Sequence, residues 1–395
     1  MSTARQILAL SAIGFRGIPQ RPGNSSVIVI GTACVVAVLI SVLAISVGFE
    51  RTIQGDARPD RVVVLSKGVE SESGGSISRE NVGLIQSAPE IRKNADGKPI
   101  LSAEVVLVAP VVRRDGSDAY ITLRGAGERL FDLRPELKIV SGRMFKPGLR
   151  ELIVGQAAHM QFQGLELGSA LRLPEGDWTI VGIFAGGDNV RQSEAIADAT
   201  TVMSAYQLDA FNSATALLIR PDALGSFKDT LNREPSLTVE ALPEPEYLAM
   251  VSQYIHRLLK TVAYAIGGIM AIGALFGALN TMYSAMAARS YEIATFRALG
   301  FTPSAVLGSV VIEAVLLSLA GACIGIGIAY AAFNGRAINT LGGSRWDSQL
   351  VYSLTISPSL VMVATAVACG IGILGGLLPA IRAVRIPAAE ALRAN

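Results

Sequence analysis

Four long apolar runs constrain the fold of this chain more than any other feature. They cover residues 27–49, 258–288, 304–333 and 356–381. Each run can cross a bilayer as a helix, which takes roughly 20 residues. The composition agrees, because the mean hydropathy is +0.45 and only 17% of the residues are charged, against about a quarter in soluble domains. The sequence therefore predicts an α-helical membrane protein with four transmembrane helices.

The segments around these runs differ greatly in size. The predicted divisions are an N-terminal segment (1–26), a large domain with its stalk (50–257), a loop (289–303), a short loop (334–355) and a tail (382–395). The first run is longer than a signal-peptide core of about 7–15 residues, so we expect an uncleaved anchor. The large segment is inserted between the first and second transmembrane helices and is the size of one domain or two small ones.

Arginines near the ends of the runs predict the orientation, because cytoplasmic loops carry an excess of Lys and Arg. Arginines flank the first and last runs on the sides that face the two termini. They are Arg5, Arg16, Arg21, Arg382, Arg385 and Arg393. We therefore expect cytoplasmic termini, a cytoplasmic loop at 289–303 and an extracytoplasmic domain at 50–257. Arg336 and Arg345 lie in the predicted outer loop and run against this rule, whereas Trp346 and Tyr352 there fit an interfacial aromatic belt.

The large segment has the pattern of a mixed α+β domain. Runs of β-branched and apolar residues bounded by turn residues predict strands, and longer amphipathic runs predict helices. The predicted strands are 61–66, 101–108, 119–124, 151–155, 171–174 and 178–184, and the predicted helices are 76–87, 156–162 and 221–231. We expect two lobes, one of which includes residues 76–126, a flexible loop at 70–76, and solvated acids at Asp177, Asp188 and Glu194.

A stalk helix is predicted before the second run. Leu248, Val251, Leu258 and Val262 follow helical spacing, and no Pro or Gly interrupts residues 247–260. We expect one continuous helix that enters the membrane. The alternative is that this stretch is only the start of a long transmembrane helix and has no function of its own.

The loop between the second and third runs carries a charged motif, Arg-x-x-Glu-Ile-x-x-x-Arg-Ala-Leu-Gly, at residues 289–300. As a helix it places Glu292, Phe296 and Leu299 along one side, with Gly300 as the stop. Such a helix on the cytoplasmic surface suits docking to a soluble partner. An ordinary polar hairpin between two membrane helices is the alternative.

Small residues four apart recur inside the runs and allow close helix packing. The pairs are Gly273 and Gly277, Gly321 and Gly325, and Gly372 and Gly376. Glu313 is the one acid well inside the third run, where a charge is costly and by default functional. Solvation near the inner end of the helix is the alternative explanation.

Several function classes are disfavoured. The sequence has no G-x-x-x-x-G-K-[ST] loop for nucleotide phosphates. Its two histidines, His159 and His256, are far apart and have no second ligand nearby, so neither a metal site nor a Ser-His-Asp triad is expected. The net charge of +2 implies no nucleic-acid partner. We therefore predict no catalytic site and no cofactor on this chain.

The order of one span, a large outer domain and three spans, together with the motif at 289–300, resembles MacB/FtsX-type permeases of the ABC transporter superfamily. The tail at 376–393 resembles the closing motif of that family. Outer stretches at 142–145, 151–155 and 181–184 resemble its MacB-like periplasmic domain. The resemblance is to the split members that work with a separate ATPase, including the LolC/LolE type.

The resemblance implies a permease subunit in the bacterial inner membrane that couples ATP hydrolysis to motion of its outer domain. It implies two copies of a separate ATPase subunit carrying ATP and Mg, a second permease that is identical or homologous, membrane lipid, and a membrane-fusion protein as a further candidate partner. It assigns coupling to the ATPase to Tyr291, Glu292, Ile293, Phe296, Arg297, Leu299 and Gly300.

Three functions remain open at this point. The first is export or extraction of lipid, lipoprotein, peptide or drug. The second is an FtsX-like transmitter that activates a cell-wall hydrolase, although the large outer domain favours transport. The third is a membrane-anchored enzyme or sensor, which the lack of a catalytic constellation disfavours.

Overall fold

The computed structural model describes residues 3–17, 22–186, 190–339 and 351–385. These residues belong to two compact units. A helical unit comprises Met1–Val47, Arg257–Arg336 and Leu354–Asn395, and a sheet unit comprises Gly48–His256 and Ala337–Ser353. The predictions for Arg345, Trp346 and the tail motif beyond residue 385 lie outside the described residues.

The helices of the chain that contribute to the helical unit are α1 (Thr3–Gly17), α2 (Pro22–Gln54), α8 (Glu244–Ala288), α9 (Ser290–Ala298), α10 (Pro303–Phe333) and α11 (Pro358–Arg385). In the described part of the chain, four stretches are long and apolar enough to cross a membrane. They are Ser25–Gln54, His256–Ala288, Pro303–Phe333 and Pro358–Arg385. The first three predicted spans thus fall within helices that extend beyond the predicted limits on at least one side. The fourth, predicted at 356–381, begins two residues before α11, which starts at Pro358 and continues to Arg385.

The core of the helical unit draws apolar side chains from all six helices. Leu10, Met286, Ile293, Val310 and Ala380 are among its buried members. Helix α1 was not predicted, because a segment of only 15 residues is too short to cross a membrane and gives a weaker signal than the four long runs. It packs against α10 and therefore belongs to the fold of this unit.

Helix α1 also caps α10. The side-chain carbonyl oxygen of Gln6 accepts hydrogen bonds from the backbone N–H of Thr302 at 3.2 Å and from its hydroxyl at 3.1 Å. Thr302 is the N-cap residue of α10, and Pro303 follows as its first helical residue, a position where proline is favoured because its missing N–H would be unpaired anyway.

The sheet unit is built on one ten-stranded sheet. Its strands are β1 (Arg61–Ser66), β3 (Leu101–Val112), β4 (Asp118–Ala126), β5 (Lys138–Gly142), β6 (Glu151–Gly155), β7 (Ala170–Leu173), β8 (Gly176–Ala185), β9 (Glu194–Asp198), β11 (Ser213–Leu217) and β12 (Val239–Pro243). The strand order is β12-β1-β11-β3-β4-β9-β6-β8-β5, and β7 pairs with β8. Only the β4–β9 and β6–β8 pairs are parallel.

Short helices and two small ribbons complete the sheet unit. The helices are α3 (Arg79–Gln86), α4 (Leu130–Leu133), α5 (Gln156–Gln161), α6 (Ala199–Ala205) and α7 (Leu224–Asn232). The ribbons pair β2 (Ile77–Ser78) with β10 (Ala210–Phe211), and β13 (Ala337–Asn339) with β14 (Val351–Ser353). The predicted strands are all present, but the predicted helix at 76–87 begins later, because Ser78 ends β2 and caps α3 through a 3.1 Å bond from the N–H of Asn81.

Two main apolar cores lie along this sheet. One contains Ile85 of α3 and Phe227 of α7, and the other contains Trp178 and Phe162. Strand β3 contributes to both, with Leu101 in the first core and Val105 in the second. Residues of the segment 76–126 therefore contribute to both cores, and its assignment to one lobe stays a prediction.

Candidate functional site

Helix α9 is the charged motif between the second and third spans. It ends in a Schellman motif: the N–H of Phe301 bonds to the carbonyl of Phe296 at 3.1 Å, and the N–H of Gly300 bonds to that of Arg297 at 3.1 Å. Gly300 has φ +92°, a conformation that favours glycine. The rings of Phe296 and Phe301 meet edge to face, with centroids 5.8 Å apart. This geometry stops the helix at the residue that the sequence predicted.

One face of α9 holds it against the helical unit. Ile293 and Ala294 are buried, and Arg297 donates a hydrogen bond to the carbonyl of Val384 on α11 at 3.1 Å. Arg289, which precedes the helix, makes an ion pair with Glu313 of α10 at 3.0 Å, and both side chains are only 14% exposed. The acid inside the third span is thus paired with a residue of the loop.

The other face of α9 is open. Tyr291 and Leu299 are 53% and 71% exposed, and Glu292 is also exposed. Phe296, predicted on the same side, is half-buried because it closes the helix with Phe301. The open face of α9 thus presents apolar and acidic side chains, while the opposite face is fixed to the helical unit. Such a surface is suited to contact with a soluble protein.

The three glycine pairs differ in what they contact. A Cβ at Gly321 would lie 2.5 Å from the carbonyl oxygen of Val29, and one at Gly325 would lie 2.5 Å from that of Ala33. These glycines let α10 approach the backbone of α2. Gly372 and Gly376 similarly bring α11 onto α10, where a Cβ would lie 2.7 Å from the Cα of Val315 and 2.8 Å from the Cβ of Ala314, respectively.

The third pair, Gly273 and Gly277 on α8, makes no such close approach to the residues that the structure describes. Among those residues, no atom lies within 4 Å of a Cβ at Gly273, and a Cβ at Gly277 would meet only Val27, at 3.7 Å. Helix α8 also has exposed apolar side chains on its membrane stretch, including Ile269 at 72% and Phe276 at 66%. Gly273 is therefore free for another contact, with lipid or with another helix.

The sheet unit contains buried charges that the sequence reasoning missed. Glu244, the first residue of α8, accepts hydrogen bonds from Nε of Arg61, from Nη2 of Arg134 at 2.7 Å, and from the backbone N–H of Arg58 at 3.2 Å. Arg61 also pairs with Glu136 at 2.8 Å. We call Arg61, Arg134, Glu136 and Glu244 the Glu244 cluster. It ties the first turn of α8 to β1 and to the end of α4.

The pKa values in this cluster follow from burial and charge. Burial alone would raise the pKa of Glu244, but the guanidinium groups of Arg134 and Arg61 outweigh it and hold that pKa below its usual value. Burial lowers the pKa of Arg134 to about 10, with a further lowering from the like charge of Arg191. Both groups are therefore charged at neutral pH.

A second buried group lies beside it. Arg124 bonds to Glu194 at 2.7 and 3.0 Å, to Glu104 at 2.6 Å and to Glu72 at 2.9 Å. Arg191 lies 3.4 Å from Glu194 and 3.7 Å from Glu104. We call these five residues the Arg124 cluster. Burial opposes the charge of Arg124, but the three carboxylates hold its pKa well above the usual value.

Helix α8 contacts the Arg124 cluster as well. The phenol oxygen of Tyr247 accepts a hydrogen bond from the backbone N–H of Glu72 at 3.1 Å, and burial raises the pKa of that phenol. A cavity of 170 Å³ is lined by residues of both clusters, including Glu72, Arg124 and Glu244, and by Tyr247. Charged side chains from several strands thus converge where α8 begins.

These clusters correct two predictions. Glu194 is 3% exposed and Glu72 is 8% exposed, so neither a solvated acid at 194 nor a simple flexible loop at 70–76 is correct. A signal was present in the strands: Glu104 interrupts the apolar run of β3, and Arg124 follows that of β4. Sequence alone does not show that these side chains converge, because the partners lie on strands distant along the chain.

The remaining candidate residues that the structure describes do not come together in one site. Asp177 is exposed and pairs with Arg172 at 3.1 Å, and Asp188 lies outside the described residues. Nδ1 of His159 is 2.9 Å from the carbonyl of Leu165, and His256 lies 3.4 Å from Glu50. Among the residues that the structure describes, no three His, Cys, Asp or Glu side chains form a group that could hold a metal ion.

Two family models match this arrangement. The MacB-like periplasmic core domain matches residues 25–258, more than half of the chain, and the FtsX-like permease C-terminal region matches residues 264–388. The chain belongs to the MacB/FtsX family of ABC transporter permeases. As a member of this family it is a multi-pass protein of the inner membrane, with a large extracytoplasmic α+β domain between its first and second transmembrane helices. The predicted fold, family and location are confirmed.

Curated relatives carry related names. The chain is 26% identical over 298 residues to the macrolide export ATP-binding/permease protein MacB of Hahella chejuensis, which covers 69% of this chain and 43% of that protein. It is 26% identical over 185 residues to the ABC transporter permease YtrF of Bacillus subtilis, covering 43% and 42%. It is 33% identical over 147 residues to MacB of Shewanella oneidensis, covering 36% and 21%. The matched region spans less than half the length of each of these relatives.

Two solved structures are also similar. The first is the periplasmic region of MacB from Actinobacillus actinomycetemcomitans, with a TM-score of 0.38 and 12% identity; the match covers 50% of this chain and 92% of that one. The second is the extracellular domain of YknZ from Gram-positive bacteria, with a TM-score of 0.36 and 14% identity; the match covers 46% of this chain and 99% of that one. The family assignment itself rests on the two family models.

Proposed function

We propose that this chain is a permease subunit that couples ATP hydrolysis by a separate ATPase to motion of its outer domain. The open face of α9 carries the proposal, because it presents Tyr291, Glu292 and Leu299 between two spans while its opposite face is anchored by Ile293 and Arg297. Gly300 ends the helix and so defines the length of this surface.

The start of α8 supports the transmission step. The same helix, Glu244–Ala288, contains both the second span and the residue at the centre of the Glu244 cluster. No Pro or Gly lies between Tyr247 and Lys260. A continuous helix passes on a displacement that a flexible linker would absorb, and the cluster would deliver it to β1 and α4. We propose this as the mechanotransmission path.

The working assembly that we propose contains two copies of an ATPase subunit, which hold ATP and Mg, and a second permease, identical or homologous. A membrane-fusion protein is a further candidate partner. The relatives named for macrolide export favour export or extraction of a drug, lipid, lipoprotein or peptide. An FtsX-like transmitter would use the same open face of α9 and the same helix α8. Motion of its outer domain would then activate a cell-wall hydrolase instead of moving a substrate.

The test of coupling is a charge reversal on the open face of α9. Glu292→Lys should weaken assembly with the ATPase subunit and its stimulated ATP hydrolysis, measured on the co-purified complex. Glu246→Lys makes the same change at another exposed position, in the first turns of α8, and should leave both unchanged. Full assembly and stimulation with Glu292→Lys would mean that this residue has no part in the contact.

The test of transmission is a break in α8. Ser252→Pro should kink the helix at a cost of about 3 kcal/mol, leaving ATP hydrolysis intact and reducing transport or hydrolase activation. Ser252→Ala is the control, because it removes only the hydroxyl bond to Ala249. Unchanged output with Ser252→Pro would show that α8 acts only as a tether.

A further inference from the structure

A groove lies behind α9, on the side away from its open face. Its cavity volume is 360 Å³, within the usual range of about 300–1,000 Å³ for small-molecule sites. Three helix segments form it: the end of α8, the whole of α9 and the end of α11. The described lining residues are Tyr283, Met286, Ala287, Ser290, Ile293, Ala294, Arg297, Pro379, Arg382 and Ala383.

The charged side chains among the described lining residues of the groove are all positive. Arg297 and Arg382 are the only charged side chains among its described lining residues, and none of those residues is a carboxylate. Arg382 lies over the ring of Tyr283, 5.7 Å from its centroid. Among the residues that the structure describes, no carboxylate oxygen lies within 4 Å of the Arg382 guanidinium. The groove therefore offers two positive charges and two hydroxyls, those of Tyr283 and Ser290.

The rest of the lining is apolar. Met286, Ile293 and Pro379 are among the residues that contribute this surface. The groove lies at the ends of α8 and α11 and beside α9, which the predicted topology places on the cytoplasmic side of the membrane. An occupant that matches both parts needs a negative headgroup and an adjoining apolar portion. Basic pockets between helices on the cytoplasmic side are a recognised setting for such headgroups.

We infer that this groove binds an anionic phospholipid of the inner leaflet, with the phosphate between Arg297 and Arg382. A zwitterionic lipid fits less well, because its ammonium group would meet two arginines and no described acid. The proposed ATPase contact uses Tyr291, Glu292 and Leu299 on the open face of α9, and none of these three residues lines the groove. Ile293 and Arg297, which the resemblance also assigned to coupling, face the groove instead. The inference stands independently of the proposed coupling, and lipid binding requires no ATPase.

The experiment uses the full-length chain purified in a neutral detergent and titrated with mixed micelles of phosphatidylglycerol or phosphatidylcholine, with bound lipid counted by native mass spectrometry. We expect one phosphatidylglycerol to bind at least about ten-fold more tightly than phosphatidylcholine, a difference of about 1.4 kcal/mol. Equal binding of the two lipids would overturn the inference.

Variants locate the site. Arg382→Gln should weaken phosphatidylglycerol binding about five-fold, the effect of about 1 kcal/mol per basic residue near anionic lipid, and Arg382→Lys should retain most of the binding. Ala287→Trp, at an exposed lining position, should block the groove. Arg385→Gln is the matched control, because Arg385 is an exposed arginine on the same helix that does not line the groove.

Two further outcomes would contradict the proposal. An equal loss with Arg385→Gln would mean that lipid is attracted to the charged end of α11 in general. Displacement of the lipid by inorganic phosphate in millimolar excess would identify a site for the free anion, because the apolar part of the groove would then contribute nothing.

Discussion

Removing the charge of Glu244 is the perturbation with the clearest expected magnitude. Glu244 is 2% exposed and is bonded to both Arg61 and Arg134. Breaking a buried ion pair from one side costs about 3–5 kcal/mol. Arg61 still has Glu136 as a partner at 2.8 Å after the substitution. The loss in the free energy of unfolding caused by Glu244→Gln should therefore lie at the lower end of that range, at about 3 kcal/mol. This corresponds to a fall in Tm of about 6–12 °C for a domain of this size.

The assay follows the outer domain in the intact protein. Trp178 is fully buried in the core of the sheet unit, and Trp346 is the only other tryptophan. In a Trp346→Phe background, the fluorescence of Trp178 reports thermal unfolding of that unit in detergent. Glu246→Gln makes the same chemical change at an exposed position two residues along the helix and should stay within about 0.5 kcal/mol of the parent.

The pH dependence gives an independent check. The pKa of Glu244 is lowered in the folded state from its ordinary value of 4.5, so its ionised form stabilises the fold. That contribution is fully present above pH 4.5 and is lost as the pH falls through the folded-state pKa. The difference in Tm between the parent and Glu244→Gln should therefore be constant near neutrality and shrink in acid. A Tm unchanged by Glu244→Gln at pH 7 would refute the assignment of the cluster as an anchor for α8.

Three other predictions concern the helical unit and topology. Gly321→Ala should cost about 1–3 kcal/mol by overpacking against α2. Gly273→Ala should leave the Tm in detergent unchanged, because no atom of the described residues lies within 4 Å of the added Cβ. Equal effects of the two substitutions would contradict the packing. Gly300→Ala should destabilise by about 1 kcal/mol, because φ is +92° there, and a neutral result in thermal unfolding would argue against the Schellman end of α9. In a cysteine-free background, Cys at the exposed Ser73 should react with an impermeant thiol reagent in intact cells and Cys at the exposed Thr295 should not, and the reverse pattern would invert the topology.

Hydropathy and local spacing were sufficient for the architecture. Each predicted span coincides with a long helix to within two residues, because twenty apolar residues have few alternatives in a bilayer. Gly300 as the stop of α9 was also predictable, since a glycine after a helical run marks a left-handed cap. The outer strands followed from alternating and β-branched patterns.

Hydropathy and local spacing could not predict the two buried charged clusters. Glu194 looks like a surface acid in the sequence, yet β9 pairs with β4 and places it against Arg124, 70 residues away. Glu313 had a visible signal but no visible partner, and its partner Arg289 comes from the adjacent loop. Partners of charged groups depend on which strands and helices become neighbours, and periodicity does not encode that.

The faces of α9 show a similar limit. Spacing placed Phe296 with Glu292 and Leu299, but the cap draws Phe296 towards Phe301 and leaves it half-buried. The open surface is consequently narrower than the motif suggested. Tertiary contacts at the end of the helix decide this.

A cross-link from the open face of α9 tests the central claim most directly. A photoreactive amino acid at Leu299, which is 71% exposed, should form an adduct in native membranes whose partner, identified by mass spectrometry, is an ABC ATPase subunit. The same probe at Ile269, which is 72% exposed on α8, should give no such adduct. Absence of the ATPase adduct from position 299, or an equal yield from position 269, would contradict the account of this chain as a permease driven through α9.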